Sequence, residues 1–287
     1  MSTFVISTDS TADLPKEYIA DNGLSVNPLY YTIDGKTYGG ANDLDLGVFY
    51  SMMRNDARTS TNASIVGEIM ENFRVILESG QDILHLAFSS GLSSTYSNTV
   101  LAAKELSETY PDRKIIVVDT LAASLGQGLL VHYAVKLKKG GRSMEEIAEW
   151  CEAHKLEICH QFTVDDLKYL QRGGRISKAT QIIGSLAGIK PVLHVDNEGH
   201  LVSLTNVRGR KKSLITLVDN MGSVINGHSN SCVFISHGDC LADAQFVGKL
   251  VTERFGITDI LYNHISPTIG SHSGPGTVAL FHLGSKR

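Results

Sequence analysis

Residues 83–96 read Ile-Leu-His-Leu-Ala-Phe-Ser-Ser-Gly-Leu-Ser-Ser-Thr-Tyr, an apolar run followed by a serine-rich turn. The run over residues 83–88 predicts a buried strand. Beyond it, apolar residues recur at the three- and four-residue spacing of a helix face: Leu92, Tyr96, Val100, Ala103 and Leu106. Five serine and threonine hydroxyls and one glycine therefore lie where a strand turns into a helix.

The serine-rich turn suits an anion. A strand-to-helix turn aims free backbone N–H groups and the positive end of a helix dipole at one point. Because the turn contains no lysine, its donors are hydroxyls and amides. Helix capping by Ser90 or Ser93 would explain one serine. Five hydroxyl-bearing residues are more than a helix cap needs. The pattern favours an anion site over simple capping and leaves both open.

The first half of the chain repeats this alternation, which favours a parallel α/β sheet. Strands are predicted over residues 4–6, 26–33 and 114–118, and helices over residues 16–22, 44–53, 65–77, 121–138 and from 144 onwards. Asp13, Ser64 and Ser143 are the expected helix caps. Residues 58–64 read as a polar loop, and Gly126 allows a close backbone approach within its helix.

The second half differs because a hairpin interrupts the alternation. Strands are predicted over residues 156–163, 189–195, 201–206, 232–236, 257–262 and 278–283, and helices over 164–170, 177–186, 214–225 and 241–255. Asp196-Asn197-Glu198-Gly199 signals the hairpin, and residues 270–276 read as a glycine-rich loop. We therefore predict an α/β fold with an N-terminal parallel domain, residues 1–157, and a C-terminal mixed-sheet domain, residues 158–287.

Composition limits the classes of partner. The 26 basic and 30 acidic side chains of the 287 residues give a net charge of −4, without a basic block, which argues against nucleic acid. The four cysteines form no C-x-x-C pair, which favours a reducing cytoplasm. No apolar run approaches the length of a membrane span. We expect a cytoplasmic monomer without stable membrane insertion.

Common enzyme signatures are missing from the sequence. It contains no phosphate-binding P-loop, no G-x-S-x-G elbow, and no G-x-G-x-x-G after the first strand. The spacings around His160 and His237 match no standard zinc pattern, so no metal or cofactor is expected. Two alternatives stay open: a Ser/His acyl hydrolase built from Ser93, His272 and Asp9, and a small-anion-binding α/β protein.

Four motifs, taken together and in order, resemble the DegV family. They are Ser7–Leu14, Ser89–Tyr96, Arg172–Ser177 and the His272-x-Gly-Pro-Gly loop, and they span nearly the whole chain. The resemblance implies a two-domain α/β protein without catalysis of its own. Such a protein buries one long-chain fatty acid between or beneath its domains. It presents the carboxylate to a separate fatty acid kinase, which forms an acyl phosphate for phospholipid metabolism.

The resemblance also assigns residues to the carboxylate. Ser93 matches the serine that binds it, and His272 matches the histidine near the head group, while Ser94 replaces a glycine of the family's serine turn. At the position of the family's Thr-Ser-Gln-Pro loop, this chain has Thr59-Ser60 followed by Thr61-Asn62-Ala63-Ser64, and it lacks the glutamine and the proline. Thr59 matches the family threonine when the motif is read forward. Thr61 matches it when read backward from Gly67-Glu68, and both readings stay open.

Two arginines complete the assignment. Arg208 resembles the arginine placed to assist phosphoryl transfer. Arg175 matches that of the Gly-Gly-Arg-Ile-Ser turn, for which a structural role stays open, and both arginines are grouped here under phosphoryl transfer or partner contact. A chain of about sixteen carbons would gain roughly 12 kcal/mol gross on burial, before the costs of binding. A neutral head-group site of hydroxyls and imidazole, without lysine, would keep the carboxylate nucleophilic.

Overall fold

The computed structural model describes residues 3–176, 188–285 and 287. Its strands are β1 (Phe4–Asp9), β2 (Ser25–Asn27), β3 (Tyr30–Ile33), β4 (Lys36–Tyr38), β5 (Thr59–Asn62), β6 (Asp82–Ala87), β7 (Ile115–Asp119), β8 (Ile158–Thr163), β9 (Ile189–Val195), β10 (Leu201–Arg208), β11 (Val233–His237), β12 (Ile260–His264) and β13 (Val278–Leu283). Its α-helices are α1 (Lys16–Asp21), α2 (Leu46–Arg54), α3 (Val66–Glu78), α4 (Thr95–Thr109), α5 (Leu125–Lys139), α6 (Met144–His154), α7 (Lys168–Arg172), α8 (Arg210–Val224), α9 (Leu241–Phe255) and α10 (Pro267–Ser273). The helix predicted over residues 177–186 lies outside the described residues.

The N-terminal sheet is parallel and covered on both faces. Its strands run in the spatial order β2-β1-β6-β7, and each neighbouring pair is parallel. Ile83 of β6 packs in one cluster with α3 and α4, whereas Leu84 and Leu86 pack in another cluster with α5. Burial on both faces explains why β6 is a continuous apolar run instead of an alternating one.

The second sheet is mixed, with the order β10-β9-β8-β13-β11-β12. Strands β11 and β12 are parallel, and the other neighbours are antiparallel. Helices α8 and α9 cover one face, and α5 contacts strands of both this sheet and the parallel sheet. The predicted α/β class, a parallel sheet followed by a mixed sheet, is confirmed. The domain boundary at residue 157 stays a prediction.

A third, three-stranded antiparallel sheet was not predicted. Strand β3 lies between β4 and β5. The strand predicted over residues 26–33 is therefore two strands in two sheets, because Pro28 lacks an N–H group and interrupts the ladder. The predicted polar loop at residues 58–64 contains β5. Its four side chains are all polar, so hydrophobic alternation could not reveal it.

Several predicted helix ends were wrong. Helix α5 begins at Leu125, not at residue 121, since Leu121 and Ser124 have positive φ. Asp13 does not cap α1, because its carboxylate accepts hydrogen bonds from Ser124 and Ser266. Ile65, not Ser64, is the N-cap of α3.

Two further predictions concern helix termini. Ser143 caps α6 as predicted, in a reciprocal capping box with Glu146. The predicted glycine-rich loop begins within α10, so His272 lies on a helix. Within the described residues, the helices fall short of the length and apolarity that a membrane crossing needs.

Candidate functional site

An apolar cavity lies where the serine-rich turn, α10 and the mixed sheet meet. Its volume of about 190 Å³ is many times the roughly 10–15 Å³ that one water molecule needs. The apolar lining consists of Leu29, Ala63, Phe88, Leu92, Ala123, Phe162, Leu170, Val195, Leu201, Ile265, Ile269, Ala279 and Phe281. Such a lining suits a hydrocarbon ligand, because apolar surface is then buried on both sides.

A polar cleft adjoins the apolar cavity. Its lining includes three arginines and the hydroxyls of β5: Arg58, Arg172, Arg175, Thr59, Ser60 and Thr61. Thr61, Arg175 and His272 line both the cavity and the cleft. These three side chains therefore form a boundary at which the polar end of an apolar ligand would meet the cleft.

The two threonines of β5 have different environments. Their side chains share one face of the strand, because strand residues alternate, and both contact α10. The Oγ1 of Thr61 lies 2.8 Å from the Nε2 of His272. The Oγ1 of Thr59 donates to the backbone oxygen of Ser271 at 3.2 Å. Thr61 lines the cavity and Thr59 lines only the cleft, so the geometry favours the reading that selects Thr61.

Only part of the serine-rich turn reaches the cavity. Ser93 and Ser94 line it. The Oγ of Ser93 lies 2.9 Å from the Oγ1 of Thr95 and accepts the N–H of Thr95 at 3.2 Å. Ser89 is occupied elsewhere, since its Oγ donates to the backbone oxygen of Gly199 at 3.0 Å. The N-cap of α4 is Ser94, which makes no side-chain capping bond, instead of the predicted Ser90 or Ser93. The anion site stays a prediction.

Ser60 lies farther from the cavity. It is exposed on β5, and it lines the cleft but not the cavity. Its neighbours Thr59 and Thr61 are only partly exposed, as expected from the alternation of a strand with one covered face. Among the hydroxyls assigned to the carboxylate, Ser93, Ser94 and Thr61 therefore share the cavity with His272, and Thr59 and Ser60 do not.

The boundary combines a neutral imidazole with a guanidinium group. Burial, with a smaller effect of the Arg175 charge, lowers the pKa of His272 to about 4, so its imidazole is neutral at pH 7. Arg175 remains a cation there, although burial lowers its pKa. Its Nε and Nη2 donate to the backbone oxygen of Leu92 at 3.2 and 3.0 Å. Arg175 therefore adds a positive charge at the boundary, and the described lining of the cavity includes no lysine, as expected.

Glycines allow the site elements to approach one another. A Cβ atom at Gly91 would lie 2.6 Å from the backbone oxygen of Glu198 in the β9–β10 hairpin. A Cβ atom at Gly173 would collide with the Nδ1 of His272. Neither contact leaves room for a side chain. The glycines of the serine-rich turn and of the arginine turn therefore serve close packing across the site.

The whole chain matches one protein family. The family model described as "Uncharacterised protein, DegV family" matches residues 3–284. The chain belongs to the DegV family. A DegV domain-containing protein of Clostridium perfringens is 43% identical over 289 residues, which cover 100% of this chain and 99% of that protein.

Solved DegV structures share the fold. A DegV protein of Thermus thermophilus described by its fatty acid binding is 29% identical, with a TM-score of 0.86 and coverage of 99% and 100% of the two chains. DegV of Bacillus subtilis, described as a fatty acid binding protein, is 27% identical, with a TM-score of 0.83 and the same coverage.

The hydrolase triad considered above is not assembled in this DegV protein. Asp9 is fully buried, and its Oδ2 accepts the N–H of Phe88 at 2.7 Å. Its Oδ1 lies 3.5 Å from the Nε2 of His85. His272 is paired with Thr61. Asp9 therefore belongs to the buried end of β1 and does not orient His272.

Arg208 lies apart from the boundary residues. It is exposed at the end of β10, and it is not among the described residues that line the cavity or the cleft. Its neighbour Arg210 is held by Asp243, with 2.8 Å between Nε and Oδ2. Arg208 and Arg175, which the resemblance placed in one group, thus occupy different places in the DegV fold.

Sequence reasoning assigned no role in the site to six polar residues that line the cavity: Asn62, Ser124, His160, Thr268, Ser273 and Thr277. His160 is buried, and its Nδ1 lies 3.0 Å from the backbone oxygen of Ile158. The available signal was Gly126 in α5, because a Cβ atom there would collide with the His160 ring. Among the described residues, no cluster of three or more side chains could ligate a metal.

Proposed function

We propose that this DegV protein binds one long-chain fatty acid, with the hydrocarbon chain in the apolar cavity and the carboxylate at Ser93, Thr61 and His272. One observation carries the proposal: the hydrogen-bonded Thr61–His272 pair lies on the boundary between the apolar cavity and the polar cleft. An amphipathic ligand with a single polar end fits that boundary. The fatty acid binding described for the Thermus and Bacillus relatives agrees with it.

The hydroxyls of the boundary would orient the carboxylate. Neutral His272 can donate from Nε2 to the oxygen of Thr61, which leaves the Thr61 proton for the carboxylate. The Ser93 hydroxyl, beside Thr95, supplies a second donor, and Ser94 adds a third on the same turn. Thr59 and Ser60 lie in the cleft, where they would contact whatever approaches the exposed oxygen.

Most of the affinity would come from the chain. Each buried CH₂ contributes about 0.8 kcal/mol, whereas a neutral hydrogen bond contributes about 0.5–1.5 kcal/mol net. The head-group residues therefore fix which end of the ligand faces the cleft. Arg175 would stabilise the negative charge at that end, in addition to its bonds to Leu92.

We propose further that the protein is not itself an enzyme and presents the carboxylate to a separate fatty acid kinase. The polar cleft lies next to the proposed carboxylate site and contains Arg58, Arg172 and Arg175. Guanidinium groups suit a transferring phosphoryl group because they bind its oxygens in pairs. Exposed Arg208 would contact the kinase, and the protein would act as a cytoplasmic monomer.

Native mass spectrometry of the purified protein, followed by lipid extraction, tests the binding. We expect one fatty acid per chain, or uptake of one palmitate or oleate after delipidation. A protein that carries no lipid and takes up neither acid would contradict the proposal. The kinase step is tested separately, by acyl phosphate formation when the loaded protein is mixed with a fatty acid kinase and ATP.

A further inference from the structure

We propose that Arg287 is a positioning residue that holds the far wall of the apolar cavity and thereby sets the longest fatty acid that the protein accepts. The far wall is the group of residues that line the cavity but not the cleft and lie near the bonds of Arg287: Ala123, His160, Val195 and Phe281. The inference rests on the fatty acid binding proposed above and specifies chain length for the same cavity.

The guanidinium group of Arg287 uses its whole set of donors. An arginine side chain carries five N–H bonds, and each of them here meets a different backbone oxygen. The acceptors are Ile158 for Nε at 3.1 Å, Asp196 at 3.2 Å and Leu121 for Nη1, and Thr120 at 3.3 Å and Lys155 at 2.7 Å for Nη2. One side chain thus connects the β7–α5 loop, the end of α6, the start of β8 and the β9–β10 hairpin.

The charge of Arg287 strengthens these bonds. Burial lowers the pKa of its guanidinium to about 10, so the group is still a cation at pH 7. Hydrogen bonds from a charged donor are roughly twice as strong as those between neutral groups. A lysine could not replace the arginine, because its three donors leave a single nitrogen and cannot reach five separate oxygens.

Arg287 is coupled to the far wall through His160. The backbone oxygen of Ile158 accepts the Nε–H of Arg287, and the Nδ1 of His160 lies 3.0 Å from the same oxygen. The Nε2 of His160 accepts the N–H of Ala123 at 3.4 Å. A continuous series of hydrogen bonds therefore runs from Arg287 to two residues of the far wall.

Two other bonds of Arg287 hold the backbone beside the far wall. Asp196 directly follows Val195, and Leu121 lies two positions before Ala123. The oxygens of Asp196 and Leu121 both accept from Nη1, so one nitrogen ties the hairpin to the β7–α5 loop. Without this nitrogen, the two segments would lose the link between them that lies next to the cavity.

Strand β13 shows that the far wall lies away from the proposed carboxylate site. The Oγ1 of Thr277 donates to the backbone oxygen of Ser273, the neighbour of His272, at 2.9 Å. Thr277 and Phe281 both line the cavity, and four residues of a strand span roughly 14 Å. Phe281 pairs with His160 across the ladder, with 5.3 Å between the ring centroids. The methyl end of a long chain would therefore meet these two rings.

A firmly held far wall would limit the length of the bound chain. Protein interiors are close-packed, and an extra methylene group that must displace a packed wall is unfavourable. In a rigid apolar pocket one methylene group can change the affinity by about 10- to 200-fold. A wall that can move loses part of this discrimination, so loss of the Arg287 bonds should admit longer acids.

A competition experiment tests the inference. Delipidated protein is mixed with equal amounts of myristate, palmitate, stearate, arachidate and behenate, and the bound acids are counted by native mass spectrometry. We expect Arg287→Ala to raise the ratio of bound behenate to bound palmitate roughly 3- to 10-fold, with palmitate uptake retained. A loss of stability alone would lower the uptake of all five acids together and leave the ratio unchanged.

Two further variants complete the experiment. Arg254→Ala is the matched control, because this exposed arginine of α9 pairs with Asp219 and lines neither the cavity nor the cleft. It should bind the same distribution of acids as the wild type. Arg287→Lys should give an intermediate shift, since an ammonium group can bind at most three of the five oxygens. If Arg287→Ala does not fold, Arg287→Lys decides the question.

Two results would overturn the inference while leaving fatty acid binding intact. One is a wild-type distribution of acids in the folded Arg287 variants. The other is an equal loss of every acid, which would give Arg287 a purely structural role. A wild-type protein that takes up none of the five acids would instead contradict the proposed function, and the inference with it.

Discussion

The Oγ1 of Thr61 lies 2.8 Å from the Nε2 of His272, a contact between β5 of the three-stranded sheet and α10 near the other end of the chain. Because this contact occurs where the cavity meets the cleft, it connects the proposed carboxylate site to the three-stranded sheet. The following expectations depend on it or on neighbouring contacts.

Thr61→Val should weaken fatty acid binding and lower the free energy of unfolding by about 1–2 kcal/mol, since the His272 nitrogen loses its partner. Thr59→Val is the matched control on the same face of β5, and we expect it to retain fatty acid affinity. Titration with a fluorescent fatty acid measures both variants. A larger loss of affinity at Thr59 would restore the forward reading of the threonine motif.

Ser93→Ala should cost roughly 1–3 kcal/mol of head-group binding, while the chain still enters the cavity. Competition between palmitate and its methyl ester isolates that contribution, because the ester has no carboxylate. We expect the wild type to prefer the acid and the variant to lose much of that preference. Unchanged preference and unchanged acyl phosphate formation would exclude Ser93 from the site.

Gly126→Ala should lower the free energy of unfolding by roughly 1–3 kcal/mol, since the new methyl group would collide with the buried His160 ring. Gly67→Ala is the control, because a Cβ atom there meets nothing within 4 Å. Urea unfolding of both variants measures the difference. Equal stability of the two would mean that α5 can move away from β8 at little cost.

The pH dependence of the free energy of unfolding should show the titration of the Asp13 carboxyl group. Burial raises the pKa of its carboxyl from 3.8 to about 7, so the folded state binds the proton more tightly than the unfolded state does. Its contribution to stability is therefore full below about pH 4 and falls as the pH rises to about 7, by at most about 1.4 kcal/mol per pH unit.

Asp13→Asn removes that titration. The difference in unfolding free energy between the variant and the wild type should therefore grow in the variant's favour from pH 4 to pH 7. His272 and His282 change in the opposite sense, because burial lowers the pKa of each to about 4. Only the difference between the two proteins isolates Asp13, and a difference independent of pH would contradict the assignment.

Arg208→Glu should abolish kinase-dependent acyl phosphate formation and leave fatty acid binding unchanged, since Arg208 is exposed and lines neither the cavity nor the cleft. Lys211→Glu, which reverses a nearby exposed charge, should retain the kinase reaction. Intact acyl phosphate formation in Arg208→Glu would remove this residue from the partner contact.

Local patterns predicted the regular elements of the fold well. Helix α9 and strand β13 have the predicted bounds, because their apolar periodicity is a property of the segment itself. Strand β5 was missed because four polar residues pair with β3 for reasons outside the segment. The partners of Asp13 lie 111 and 253 positions away, so no local pattern could distinguish it from a helix cap.

The same limit applies to the site. The serines and His272 were predicted as site residues through the resemblance, and their chemistry is visible in the sequence. The different contacts of Thr59 and Thr61 with α10, from which we propose Thr61 as the carboxylate ligand, depend on how β5 packs against that helix. The charge of Arg175 at the boundary required the fold of its glycine turn, which brings the guanidinium to the backbone of Leu92.

The close approach of Gly91 to Glu198 bears on how the protein is made. The ribosome synthesises β5 and the serine-rich turn early, and the hairpin and α10 much later. Until α10 emerges, Thr61 has no His272 and the cavity lacks one wall. A nascent chain therefore exposes the apolar wall of the cavity before the cavity can close, and transiently exposed apolar surface favours aggregation.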